Sequence, residues 1–174
     1  MMKSIFKTLL LLSFLATSIG SLAQSNDLPP SSPKDLKDGQ KAPDAILKDS
    51  LSQEISIASF LGKYVFIDVW HSRCSPCLKQ IPFLKDLEKE MEGENIVFLS
   101  VNCDSQEFRW RGMRDMYPGL PLWDQDGSFC GKYNVIYSPR FILIDPEGKI
   151  AKAFMPQPSK PEALEYLKTL FNKN

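Results

Sequence analysis

The sequence has a single histidine, His71, and no excess of either charge: 21 lysines and arginines face 21 aspartates and glutamates across 174 residues. One histidine excludes multi-histidine metal sites. A net charge of zero leaves no electrostatic footprint for nucleic acid or an acidic membrane surface, so neither is expected as a partner. There is no internal repeat, and no collagen-like, disordered or coiled-coil bias in the composition. The length suits one domain with a proper core. Long apolar runs are also missing. The best, Thr8 to Ala16, falls short of the ~20 residues that span a bilayer.

That short run has another reading. Lys3 and Lys7 precede it without an acid, and Ser21-Leu22-Ala23 offers small residues to a signal peptidase. Residues 1–23 are expected to be a secretory signal peptide cleaved after Ala23, which places the mature chain in the periplasm or another extracytoplasmic space. Losing Lys3 and Lys7 leaves 19 basic against 21 acidic residues, a net charge of about −2. An uncleaved membrane anchor is the alternative. Residues 24–38, with Pro29, Pro30 and Pro33, read as an extended linker. The globular part is expected over residues 39–174.

Four cysteines are present, and two lie three apart in Val69-Trp70-His71-Ser72-Arg73-Cys74-Ser75-Pro76-Cys77. They follow an apolar run, Tyr64 to Trp70, that reads as a strand buried on both faces. They open a stretch in which Ile81, Leu84, Leu87 and Met91 recur at helical spacing up to Gly93, with Pro82 expected to kink it. A thiol at a helix N-terminus meets unpaired N–H groups and the positive end of the macrodipole, which favour the thiolate. A Cys-x-x-Cys pair closes too short a loop to be a useful structural staple. Redox chemistry explains it better, with Cys74 as nucleophile and Cys77 as resolving thiol. Half of a zinc site is the competing reading, but two further ligands at suitable spacing are missing.

Asp68 is a charged residue in the middle of the buried strand. Burial raises a carboxylate's pKa, which suits a proton acceptor for Cys77. An edge-facing or salt-bridged aspartate is the alternative. Trp70 packs beneath the redox loop and is grouped with Ser138 and Pro139 as candidate substrate-binding residues. His71 and Arg73 flank Cys74 as candidate modulators of its thiolate, or as solvated loop residues. Cys103 and Cys130 lie near predicted element ends and form either a second disulfide or two free buried thiols.

The remaining pattern predicts a small hairpin from Ala45 to Lys48 and Glu54 to Ile57, and a strand at Ile96 to Val101. A helix from Ser105 to about Tyr117 follows, then a short strand at Leu120 to Trp123 and a short helix at Ser128 to Tyr133. Strands at Arg140 to Ile144 and Lys149 to Phe154 meet across an Asp145-Pro146-Glu147-Gly148 turn. Pro161 to Phe171 closes the chain as an amphipathic helix. Strands alternating with helices imply an α/β domain with a mixed sheet covered on both faces.

From Gly39 onward the chain resembles the TlpA/ResA type of thioredoxin-like proteins, exported bacterial thiol–disulfide oxidoreductases. The likeness rests on Gly39-Gln40-Lys41-Ala42-Pro43-Asp44, on Tyr64 to Trp70 with Cys74-Ser75-Pro76-Cys77 and Pro82, and on Tyr137-Ser138-Pro139-Arg140-Phe141 with Leu143-Ile144-Asp145 and Gly148-Lys149. It implies a thioredoxin fold with an N-terminal hairpin extension, a cis Pro139 that offers backbone groups to an incoming peptide, and a buried-acid role for Asp68. It also implies protein thiols and disulfides as substrates, a membrane electron donor, no cofactor and no metal. A monomer is expected. The chain departs from the family at His71, Arg73 and Arg140, so redox potential and partner choice do not carry over. His71 also stands where peroxiredoxins need Thr or Ser, which argues against a peroxidase. The expected activity is reduction of protein disulfides. A disulfide oxidase or isomerase is one rival, and a copper-binding assembly factor using Cys74, Cys77 and His71 is another.

Overall fold

Two features of the sequence set the architecture: an apolar central strand that needs neighbours on both sides, and amphipathic helices that need a sheet to cover. The computed structural model describes residues 36–171. The expected signal peptide, its cleavage site and most of the linker lie outside them. Strands β1 (Ile46–Lys48), β2 (Glu54–Ser56), β3 (Tyr64–Trp70), β4 (Ile96–Asn102), β5 (Leu120–Trp123), β6 (Arg140–Ile144) and β7 (Ile150–Lys152) form one sheet in the order β2-β1-β5-β4-β3-β6-β7. The helices are α1 (Ser75–Glu90), α2 (Glu107–Arg111), α3 (Ser128–Lys132) and α4 (Pro161–Phe171). Parallel β3-β4-β5 pairing is joined to antiparallel β3-β6 and β6-β7 pairing, so the sheet is mixed, as expected. This is the thioredoxin fold with an N-terminal β1–β2 hairpin.

Alternation along β3 divides its side chains between two cores. Val65, Ile67 and Val69 join Leu99, Val101, Leu122 and Ile142 on one face, under α3 with Phe129 and Tyr133. Phe66 and Trp70 join Phe98, Phe141 and Leu143 on the other, where α1 lays down Cys77, Ile81, Leu84 and Leu87 and α4 adds Leu167. Inside α1, Pro82 lacks the N–H that would reach the Leu78 carbonyl.

Two details differ from the sequence pattern, and a third closes a choice that the pattern left open. The helix expected from Ser105 to Tyr117 is only the five-residue α2 followed by a 3-10 turn at Arg114–Met116. Gly112, a weak helix former, ends it, and Ser105 provides no cap. The segment instead turns so that Trp110, fully buried, stacks on Trp123. Second, packing begins before Gly39. Leu36 is buried in the α3-side core, and Asp38 accepts the Ala153 N–H at 2.7 Å and pairs with Lys152 at 3.1 Å. Third, Cys103 and Cys130 are joined, with their Cα atoms 6.7 Å apart, which settles the choice between disulfide and free thiols. Among the described residues no helix is long and apolar enough to cross a membrane.

Gly119 leads into β5 at φ +77°, where a Cβ would sit 2.6 Å from the Phe98 carbonyl oxygen of β4. Backbone strain at positive φ and overlap with an unyielding carbonyl both oppose a side chain there. Gly119→Ala is expected to cost on the order of 2–4 kcal/mol, read as a lower denaturant midpoint with an unchanged m-value.

Candidate functional site

The site forms where β3 runs out. All seven of its residues pair with β4 on one side and Val65 to Val69 pair with β6 on the other, so the strand is fixed up to Trp70 and the next residues leave the sheet. They turn into α1 through a loop closed by the Cys74 N–H donating to the His71 carbonyl at 3.0 Å. Cys74 is the N-cap of α1, and its Sγ accepts the Cys77 N–H at 3.1 Å. Pro76 in the first turn needs no hydrogen-bond acceptor there. Cys74 and Cys77 are joined as a disulfide with Cα atoms 5.2 Å apart. At 4% and 1% exposed, Cys74 is the outer of two nearly covered residues. Once the bond opens, the helix N-terminus lowers the energy of a Cys74 thiolate.

Asp68 lies on β3, on the sheet face that this pair packs against. It pairs in register with Ser100 of β4 and Phe141 of β6, is 4% exposed, and its Oδ2 has no hydrogen-bond partner. Strand alternation puts it on the face of Phe66 and Trp70, the face that α1 covers with Cys77. The edge-facing or salt-bridged alternative does not apply. Burial alone pushes its carboxyl up to about 8. Tyr117 lies close enough that, after burial, the charges of Asp68 and then Asp104 hold its hydroxyl proton more tightly than usual. The Tyr117 hydroxyl is likewise buried without a hydrogen-bond partner.

Trp70 does not fit among substrate-binding residues. Its side chain is fully buried, its Nε1 donates to Ser100 Oγ at 2.8 Å, and its ring stacks on Tyr117 at 4.0 Å. It supports the loop from below and offers no surface to a partner. His71 uses Nδ1 to accept the Arg73 N–H at 3.2 Å, so its ring organises the loop backbone, while Arg73 is exposed.

Across the sheet end, Arg140 pairs with Val69, which carries Ser138-Pro139 alongside the start of the redox loop. The Ser138-Pro139 bond is cis, as the resemblance implied, and both residues are partly exposed. Arg140 itself is buried. Its guanidinium stands 3.8 Å over the Phe154 ring, donates twice to the Ala153 carbonyl and reaches the Asn134 carbonyl at 3.3 Å. Arg140, one of the positions where the chain departs from the family, therefore ties the approach to Pro139 to the β7 side of the fold.

Two contributors carry no signal in the sequence. Ser72 gives its N–H to Asp104 Oδ2 at 2.6 Å and its hydroxyl to Asp104 Oδ1 at 3.1 Å, bridging 32 positions. Tyr117 reads as the end of a helix and turns out to lie under Trp70. Neither spacing nor periodicity could have joined residues so far apart in the chain.

The Redoxin family pattern matches residues 37–169. ResA of Bacillus thuringiensis subsp. konkukian, a thiol–disulfide oxidoreductase, is 27% identical over 134 residues, covering 76% of this chain and 78% of its own. ResA of Bacillus subtilis is 28% identical over 119 residues, 67% of this chain and 66% of its own. Among solved structures, a candidate thiol–disulfide oxidoreductase of Bacteroides vulgatus superposes with a TM-score of 0.72 at 31% identity, over 79% of this chain and 99% of that one. By this match, and with the Cys74–Cys77 pair at its helix end, the chain belongs to the Redoxin family as a thiol–disulfide oxidoreductase of the TlpA/ResA type.

Proposed function

We propose that the chain is an exported reductase of protein disulfides, working through Cys74 and Cys77 with Asp68 as proton acceptor. The observation that carries the reading is the unpartnered, buried carboxylate of Asp68 on the sheet face that α1 covers with Cys77. In the reduced enzyme the Cys74 thiolate attacks one sulfur of a substrate disulfide and releases the other as a thiolate. A mixed disulfide forms. Asp68 then takes the proton of the Cys77 thiol, and the Cys77 sulfur attacks Cys74 Sγ. The substrate leaves as a dithiol after protonation, and the enzyme is left with the Cys74–Cys77 disulfide. Two electrons pass from enzyme to substrate, and a membrane dithiol donor returns them.

Docking falls to Ser138-Pro139, partly exposed and set beside the redox loop by the β3–β6 register. Nearby Ile136, 69% exposed, adds an apolar contact suited to an unfolded peptide. Export rests on the leader-like residues 1–23 and places the work outside the cytoplasm.

Insulin-type disulfide reduction tests the chemistry. Cys74→Ser is expected to fall to the uncatalysed background, and Cys77→Ala to accumulate mixed disulfides whose captured proteins name the substrates. Wild-type-like turnover of Cys74→Ser overturns the reading. A Cys74–Cys77 potential of about −120 mV, that of a strong oxidant, would make the enzyme an oxidase or isomerase.

Asp68 gives two further expectations. Asp68→Asn should slow resolution of the mixed disulfide on the order of 10²-fold and remove the rise in its rate as pH passes through about 8. Stability moves the other way. A carboxyl whose pKa is raised on folding contributes stability below its unfolded pKa and loses it as pH climbs through its folded value. Asp68→Asn is therefore expected to raise the thermal midpoint at pH 8 by about 5 °C or more and leave it near wild type at pH 4.

A further inference from the structure

The redox loop is gripped by a carboxylate outside the Cys74–Cys77 pair. Asp104 stands just past the end of β4 and is 8% exposed. Besides Ser72, its Oδ2 accepts a side-chain N–H of Asn102 at 2.9 Å, and its own N–H donates to Asn102 Oδ1 at 3.0 Å. Its carbonyl oxygen accepts Trp123 Nε1 at 2.7 Å. Both carboxylate oxygens, the amide and the carbonyl are thus engaged. Charge-assisted bonds of this kind are the strong ones, and here two of them end on Ser72, two residues before Cys74.

The residue before Asp104 is held as firmly. Cys103 donates its N–H to the Trp70 carbonyl at 2.9 Å, where the redox loop begins, and its sulfur is bonded to Cys130 of α3. Asp124 completes the frame. Its N–H donates to the Asn102 carbonyl at 2.9 Å, and its carboxylate accepts the N–H groups of Phe129 and Cys130 at 3.0 and 2.9 Å. That carboxylate lies within 4.8 Å of both sulfurs. Burial raises the pKa of that carboxylate, and its charged form disfavours a thiolate on either cysteine, the reverse of what the helix end does for Cys74.

We propose that Asp104 is a positioning residue for the redox pair. By holding Ser72 it sets the entry to α1, so that the Cys74 sulfur keeps the Cys77 N–H, and the Cys103–Cys130 cross-link keeps Asp104 in place. This rests on the reading that Cys74 is the attacking thiol.

The sign of one measurement separates positioning from a simple charge effect. An acidic neighbour by itself disfavours a Cys74 thiolate, so removing only its charge would lower the thiol pKa. Releasing the loop would instead take Cys74 away from its N–H donor and raise it. The other titratable or charged groups at this end of the fold are Asp68 on β3, Cys77 on α1, His71 and Arg73 in the loop, Tyr117 beneath Trp70, and Asp124 just past β5. All of them stay the same in the variants compared.

The experiment follows alkylation of Cys74 by iodoacetamide against pH in the full-length chain with Cys74–Cys77 reduced and Cys103–Cys130 intact, read residue by residue by mass spectrometry. Asp104→Asn and Asp104→Ala are expected to raise the Cys74 pKa and slow its alkylation at pH 7 by about 3- to 10-fold. Ser72→Ala, which removes only the hydroxyl contact and tests the grip if the Asp104 variants fold poorly, should move the same way by less. The double variant Cys103→Ser, Cys130→Ser should also raise it. A downward shift reduces Asp104 to a charge and overturns the proposal. So does an unchanged Cys74 pKa with only a lower unfolding midpoint. Alkylation reports the thiol whether or not Cys74 attacks a substrate, so failure of the catalytic reading in the Cys74→Ser assay remains a separate result.

Discussion

The length of β3 is the constraint from which the site follows. A strand hydrogen-bonded on both edges cannot turn aside, so its seven residues carry Asp68 into the core and release the chain only after Trp70. Five residues later a helix must begin, because the apolar stripe of Ile81, Leu84 and Leu87 has only the sheet to cover. Cys74 falls at the N-cap for that reason, and the cap position supplies the N–H groups that make a thiolate affordable. The buried acid and the reactive sulfur are two consequences of one strand. Shifting the register by a single residue would turn Asp68 to the other face and part it from Cys77.

Much of this was legible in the sequence, for identifiable reasons. Tyr64 to Trp70 is nearly continuous apolar sequence, which only a central strand explains, and Cys74 and Cys77 mark the helix start without ambiguity. Short-range turn chemistry revealed the Asp145–Gly148 corner between β6 and β7. What stayed hidden depends on tertiary packing. The α2 region has helical periodicity, yet burial of Trp110 against Trp123 decides its course. Leu36 and Asp38 read as linker because one leucine and one aspartate among prolines and charges carry no pattern, although they dock on the sheet. Trp70 lies next to the loop in sequence and so invited a substrate role, but the strand register turns its indole inward to Ser100.

The two disulfides lie on opposite faces of one sheet, in different electrostatic settings. Cys74–Cys77 packs on the face that α1 covers, where a helix end favours the thiolate and Asp68, neutral below about pH 8, does not oppose it there. Cys103–Cys130 packs toward the other face, beside the Asp124 carboxylate, where a thiolate is penalised. The sheet separates the two cores while Asp104 and the Trp70 carbonyl connect the loops at its edge. A reactive disulfide must change its bonding in each cycle without letting its loop drift, since a small misplacement of the sulfur weakens the helix-end stabilisation on which its reactivity depends. The Cys103–Cys130 disulfide, one residue from Asp104, restrains that backbone from the opposite side of the sheet and leaves the face that carries Cys74 uncovered.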